Sequence, residues 1–263
     1  MNESQEKQEE QHKQGKEGNI ILRSSVLIPV SALPTEVRPV KLEGDMAIPK
    51  YAKGIVLFAH GSGSGRSSPR NKFIAEGLNA DGLATLLVDL LTLGEEQTDI
   101  RAQKIQSKIP GLVLNKFNIT LLANRLVSIT DWILHNNNTQ NLILGYFGTS
   151  TGAAAALTAA AATKNQDWVG AIVSRSGRPD LADSESLKRV KAPTLFIVGG
   201  NDHKQVIELN KQALKDLGSE KKKLIIVPNA THLFEEPGTL EEVVRIASGW
   251  FRCYFQIREH SLK

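Results

Sequence analysis

The chain has 263 residues, 41% of them hydrophobic, which suits one large α/β domain with a substantial core. Its 32 basic and 28 acidic residues are interspersed and form no continuous stripe, so the net charge of +4 gives no reason to expect a nucleic-acid partner. A single cysteine, Cys253, excludes an intrachain disulfide and a cysteine-based zinc site, and no apolar run approaches the roughly 20 residues of a membrane helix.

Residues 1–18 are rich in Glu, Gln and Lys and carry no large apolar residue after Met1. Such a stretch cannot offset its ordering entropy, so a disordered tail is expected, with a single domain over 19–263. It contains no signal-peptide apolar region, and a cytoplasmic location is expected. Residues 26–30 and 37–42 read as strands, with a turn signal at Glu43-Gly44-Asp45. The apolar run 54–59 reads as a buried strand, followed by the loop His60-Gly61-Ser62-Gly63-Ser64-Gly65-Arg66. Ser68 as cap and Pro69 at the first helical position open a helix that Gly82 ends.

A strand is expected over 83–89. The polar stretch 92–115 is either a cap over the site or a surface loop. Residues 117–135 carry Leu121, Leu122, Leu126, Ile129 and Ile133 at helical spacing. Further on, strands are expected at 169–174, 194–198 and 224–227, and helices at 181–190, 206–217 and 240–255. The alternation implies a mainly parallel sheet of about eight strands with helices on both faces. Sites on such sheets lie at the C-terminal strand ends.

The centre of the chain is Asn141 to Thr163. Leu142-Ile143-Leu144 begins a buried strand, Gly148-Thr149-Ser150-Thr151-Gly152 matches G-x-S-x-G, and an alanine-rich helix follows. Strand, tight turn and helix are the context of a nucleophile elbow, which makes Ser150 a candidate nucleophile. A serine hydroxyl needs a base to take its proton, and a third group to orient that base. Asp202 and His232 follow later strands, in the chain order Ser, Asp, His of the α/β-hydrolases. His60 and His203 compete with His232, and Asp89 competes with Asp202.

The loop Gly61–Gly65 has two functional readings. As an oxyanion-hole loop it would supply a backbone N–H near Gly61 or Ser62 to join that of Thr151. As a dinucleotide loop it is incomplete, because Arg66 stands where G-x-G-x-x-G requires glycine. A purely structural turn is the third reading.

These stretches, together with Ser174-Arg175-Ser176-Gly177-Arg178-Pro179-Asp180-Leu181 and Thr231-His232-Leu233-Phe234-Glu235, resemble the dienelactone-hydrolase-like branch of the α/β-hydrolases over about 26–255. The resemblance implies hydrolysis without a cofactor or metal. It departs at the nucleophile: dienelactone hydrolases carry cysteine, and here the position is Ser150. In that family arginines bind the substrate carboxylate, and Arg66, Arg70, Arg175 and Arg178 follow strands that should open beside Ser150. The expectation is a serine hydrolase acting on a small carboxylic ester, lactone or thioester; the substrate is anionic if these arginines bind it, and its charge stays open if they are solvated or pair with Asp180 and Asp183. Two rival readings remain: a non-catalytic binding protein of the same fold, and a dinucleotide-dependent enzyme. Oligomeric state stays open.

Overall fold

The computed structural model describes residues 20–30, 39–109, 111–162 and 167–261. The expected N-terminal tail and the segment around Pro34 lie outside the described residues, as does the start of the expected second strand. Eight strands form one sheet: β1 (Ile20–Val30), β2 (Val40–Pro49), β3 (Gly54–Ala59), β4 (Ala84–Val88), β5 (Ile143–Thr149), β6 (Val169–Arg175), β7 (Thr194–Gly199) and β8 (Lys222–Val227), in the order β1-β2-β4-β3-β5-β6-β7-β8. β1 pairs with β2, and β2 with β4, antiparallel. From β4 across to β8 every pairing is parallel. The strands β3 to β7 are buried along almost their whole length because helices cover both faces, which explains their continuous apolar runs.

The helices are α1 (Pro69–Ala80), α2 (Leu93–Gln103), α3 (Ile119–His135), α4 (Thr151–Ala161), α5 (Ser184–Arg189), α6 (Lys204–Asp216) and α7 (Thr239–Ser261). On one face, Ile74 and Leu78 of α1 and Val243, Phe251 and Phe255 of α7 pack on Val56, Phe58 and Phe147. On the other, Leu122, Leu126 and Ile129 of α3 and the alanines of α4 pack on Ile55, Leu57 and Tyr146. Nearly all of α4 is buried, so its alanines let the helix lie close to both the sheet and its neighbours.

One expectation fails at residues 43–45, which lie inside β2 rather than in a turn. Gly44 faces Val26 on one side and Val88 on the other. A Cβ there would stand 3.2 Å from Leu86, Leu87 and Val26, so the glycine serves close strand packing. The flanking Glu43 and Asp45 instead hold Arg66.

The elbow also depends on close approach. A Cβ on Gly152 would lie 2.1 Å from the Ala59 carbonyl oxygen and 2.5 Å from that of His60. Backbone atoms at the end of β3 cannot move aside without disturbing the sheet. Gly152→Ala is therefore expected to cost about 3 kcal/mol or more of stability. A fall in the urea midpoint at unchanged slope would show it. A midpoint equal to wild type would refute the packing argument.

Candidate active site

Ser150 joins β5 to α4 with φ 50 and ψ −123, a conformation that L-residues rarely adopt. The following helix and the close packing of Gly148 on Ala153 hold it there. The backbone carbonyl of Ser150 accepts from the Ala153 and Arg178 N–H groups, tying the elbow to the loop after β6. Gly61 packs directly on the serine, since a Cβ at Gly61 would lie 2.9 Å from Ser150 Cβ.

Asp202 and His232 come together as the ends of β7 and β8. The Nδ1 of His232 lies 2.9 and 3.0 Å from the two carboxylate oxygens of Asp202. Two more donors reach that carboxylate: Ser176 Oγ to Oδ2 at 2.7 Å and the His203 N–H to Oδ1 at 2.7 Å. Burial opposes the charge on Asp202, but the bonds from His232 and Ser176 outweigh it and hold the carboxyl below its ordinary value. An anionic Asp202 makes the Nδ1-protonated tautomer of His232 the favoured one, leaving Nε2 with a lone pair. Ser176, itself at φ 40, had no separate role in the sequence reading. Its place beside Asp202 depends on β6 and β7 being neighbours.

A cavity of about 190 Å³ brings together Ser150, His232, Ser62, Arg70 and Arg175. The Thr151 N–H opens α4, where the first N–H groups of a helix have no intrahelical acceptor. The Gly61 N–H is not free, because it donates to Thr149 Oγ1 at 3.0 Å. That narrows the sequence-level choice of a loop donor to Ser62. The imidazole of His60 braces the loop: Nδ1 lies 2.9 Å from the Gly61 carbonyl, and Nε2 accepts from the Leu90 N–H at 2.9 Å. Burial lowers its pKa, which keeps the ring neutral. The helix after the loop opens only at Pro69, so the glycines do not run straight into a helix N-terminus as a dinucleotide loop would.

The four arginines separate into two groups. Arg66 lies outside the serine cavity. Its N–H and Nε bond Asp89 at 2.7 and 2.8 Å, and its guanidinium also reaches Asp45 and Glu43. It anchors the glycine loop to β2 and the end of β4. Arg178 is turned to Asp180 in a two-pronged pair at 2.8 and 2.7 Å and does not line the cavity. These two do not occupy the substrate-binding position expected for them.

Arg175 and Arg70 do line it. Arg175 is buried, with its Nε and Nη1 lacking any hydrogen-bond partner among the described residues. Its guanidinium lies 5.8 Å from the centre of the Phe234 ring. Burial and the neighbouring Arg70 lower its pKa to about 10, so at neutral pH it still carries an uncompensated charge. Arg70 pairs with Glu235 at 3.0 Å while its Nε has no hydrogen-bond partner among the described residues.

No described residue of the stretch 92–115 lines the serine cavity. Thr92 and Glu95 form a reciprocal cap that starts α2, and Arg125 of α3 holds Glu95 and the Leu90 carbonyl. Leu93, Glu96, Asp99 and Ile100 of this segment line a second cavity, which the glycine loop also borders. Among the described residues no cluster of ligands suits a metal, and no helix is long and apolar enough to cross a membrane.

Comparison with known proteins agrees with this architecture. The sequence model of the dienelactone hydrolase family matches residues 42–250. A dienelactone hydrolase from Anabaena variabilis ATCC 29413 is 51% identical, with a TM-score of 0.76 over 88% of this chain and 98% of its own. The fold is shared more widely: Est1E from Butyrivibrio proteoclasticus, 15% identical, has a TM-score of 0.66 over 88% of this chain and 99% of its own. Two Mycobacterium tuberculosis proteins that carry the provisional name phosphoribosyl transferase are 51% identical over 213 residues, 81% of this chain. This chain spans less than half of them, 44% of their length. With the eight-stranded sheet and the elbow in the same chain, these matches show that the protein has the α/β-hydrolase fold and belongs to the dienelactone hydrolase family.

Proposed function

We propose that this hydrolase cleaves a small carboxylic ester, lactone or thioester through an acyl-enzyme on Ser150. The observation that carries the reading is the Asp202–His232 pair opening on the same cavity as a serine held at φ 50. His232 Nε2 takes the Ser150 proton as Oγ attacks the carbonyl carbon. The Ser62 and Thr151 N–H groups receive the negative charge that develops on the carbonyl oxygen. Collapse breaks the bond to the leaving oxygen or sulfur, which takes the proton from His232. Water then repeats the sequence on the acyl-enzyme and frees Ser150. Asp202 orients the imidazole and stabilises its protonated form. Covalent labelling by a fluorophosphonate, blocked by Ser150→Ala, tests the reading.

The substrate class follows from the buried arginine. An unpaired guanidinium is costly to desolvate, and a bound carboxylate or phosphate would satisfy its planar fork. Arg175→Met should raise KM mainly for an ester that bears a distal carboxylate. The loss should be about 2–4 kcal/mol in transition-state binding, with its neutral isostere much less affected. The same variant removes a buried charge without a partner, so it should unfold at higher denaturant, by about 1–2 kcal/mol. Matched ester kinetics and a urea melt check both. Equal losses on the two esters would remove the anionic-substrate idea and leave the serine mechanism standing.

A further inference from the structure

The second cavity, about 490 Å³, shares Gly61, Ser62, Gly63 and Ser64 with the serine cavity. Neither Ser150 nor His232 lines it. Its walls include Leu91, Leu93, Ile100 and Leu122, from the end of β4, α2 and α3. Most of its polar groups already have partners. Asp89 holds Arg66, Asp99 accepts from the Asn115 and Lys116 N–H groups at 2.8 and 2.9 Å, and both nitrogens of His60 are bonded. Lys116 Nζ reaches Gln103 at 3.3 Å. Glu96, also on the wall, donates its backbone N–H to the Thr92 carbonyl at 3.0 Å, while its carboxylate has no hydrogen bond or ion pair among the described residues.

The tetrahedral intermediate has three directions to fill around its carbon besides the bond to Ser150. The oxyanion points to the Ser62 and Thr151 N–H groups. The leaving atom must face His232, which gives it a proton, and His232 shares its cavity with Arg175 and Arg70. The acyl chain is left with the direction across the glycine loop. Resting on the serine-hydrolase reading, we propose that the acyl half of the ester occupies the larger cavity as an apolar, uncharged chain, while the anionic group is carried by the alcohol half against Arg175 and Arg70. Glu96 repels a carboxylate on the acyl side. Ile100 sets the acyl length, because it projects from α2 into that wall and is otherwise exposed.

The test compares two ester series: acyl chains from acetyl to hexanoyl on one alcohol, and alcohols of increasing length on one acetyl group. A charged pair, O-acetyl-4-hydroxybutyrate and butyl hydrogen succinate, places the carboxylate on the alcohol or on the acyl half. Fluorophosphonate titration counts competent sites in every preparation, so misfolded protein does not enter kcat/KM. Wild type should favour O-acetyl-4-hydroxybutyrate by at least about tenfold. Ile100→Trp should lower the hexanoyl-to-acetyl ratio by about ten- to a hundredfold without a matching change along the alcohol series. Glu96→Lys should raise the relative rate on butyl hydrogen succinate by about tenfold. If Ile100→Trp acts on alcohol length instead, or wild type favours butyl hydrogen succinate, the assignment of the two halves is overturned. In either case titration of Ser150 would still stand for the serine mechanism, whereas absence of labelling would remove that mechanism itself.

Discussion

Ser150→Ala is expected to abolish fluorophosphonate labelling and to lower kcat by about 10⁴- to 10⁶-fold. The reason is chemical, not structural. The alanine keeps the Cβ that packs near Gly61 and loses only the oxygen that would form the acyl bond. The folded state should therefore survive, and relief at the hydroxyl has no strong route into stability. The φ of 50 remains costly for alanine as it is for serine, so little change in the urea midpoint is expected. The residual rate should reflect what the Ser62 and Thr151 N–H groups and substrate binding contribute without a nucleophile. Purified Ser150→Ala protein that hydrolyses its ester at the wild-type rate would end the acyl-enzyme proposal, whatever the fold.

Asp202→Asn should reduce kcat by about 10⁴-fold while the protein stays folded. The carboxylate accepts from His232, Ser176 and the His203 N–H at once. An amide has one oxygen in place of two, and its NH₂ can only donate. Turned toward His232, that NH₂ favours the tautomer with the proton on Nε2, which can no longer accept from Ser150. Turned the other way, it meets the donors of Ser176 or His203. The first outcome loses the tautomer and the second keeps it, but both lose the negative charge that stabilises the protonated imidazole, so both lower the rate. The pH dependence of folding gives a second readout. The Asp202 carboxyl is held below its ordinary value, so the folded state binds fewer protons there than the unfolded chain does. Its contribution is complete above the unfolded aspartate value and is lost as pH falls through the lower folded one. Asp202→Asn removes that part of the acid dependence, which urea melts at several pH values would show. Rate loss below about tenfold would mean that His232 does not depend on Asp202 for its tautomer.

Close packing around the elbow explains why Gly148-Thr149-Ser150-Thr151-Gly152 could be read from the chain. Each glycine stands where a Cβ would meet backbone, and a local pattern of that kind survives translation into sequence. The alternation of apolar runs with amphipathic helices likewise defines a covered parallel sheet, because burial on both faces demands continuous hydrophobicity. Asp202 and His232 were legible as polar residues ending apolar runs in the expected chain order, and their pairing followed from that order; the third donor to Asp202, Ser176, did not.

Other features arise from neighbours distant in sequence. Glu43-Gly44-Asp45 has the composition of a turn, yet tertiary pairing on both sides makes it strand, and its acids serve Arg66. In one dimension the four arginines differ only in how near they lie to a strand end, which favours Arg175. The positions of Asp89, Asp180 and Glu235 show that three are already paired, leaving Arg175 as the buried one with no ion pair among the described residues. Ser176 reaches Asp202 because β6 and β7 are adjacent. In the stretch 92–115, open between cap and loop, Arg125 of another helix holds Glu95, and Leu93, Glu96, Asp99 and Ile100 line the second cavity and not the one that holds Ser150. The sequence by itself determined the elements whose signals are local: period, glycine approach and strand-end chemistry. The tertiary structure decided which charges meet, since a side chain's partner depends on strand order and on contacts that no local window contains.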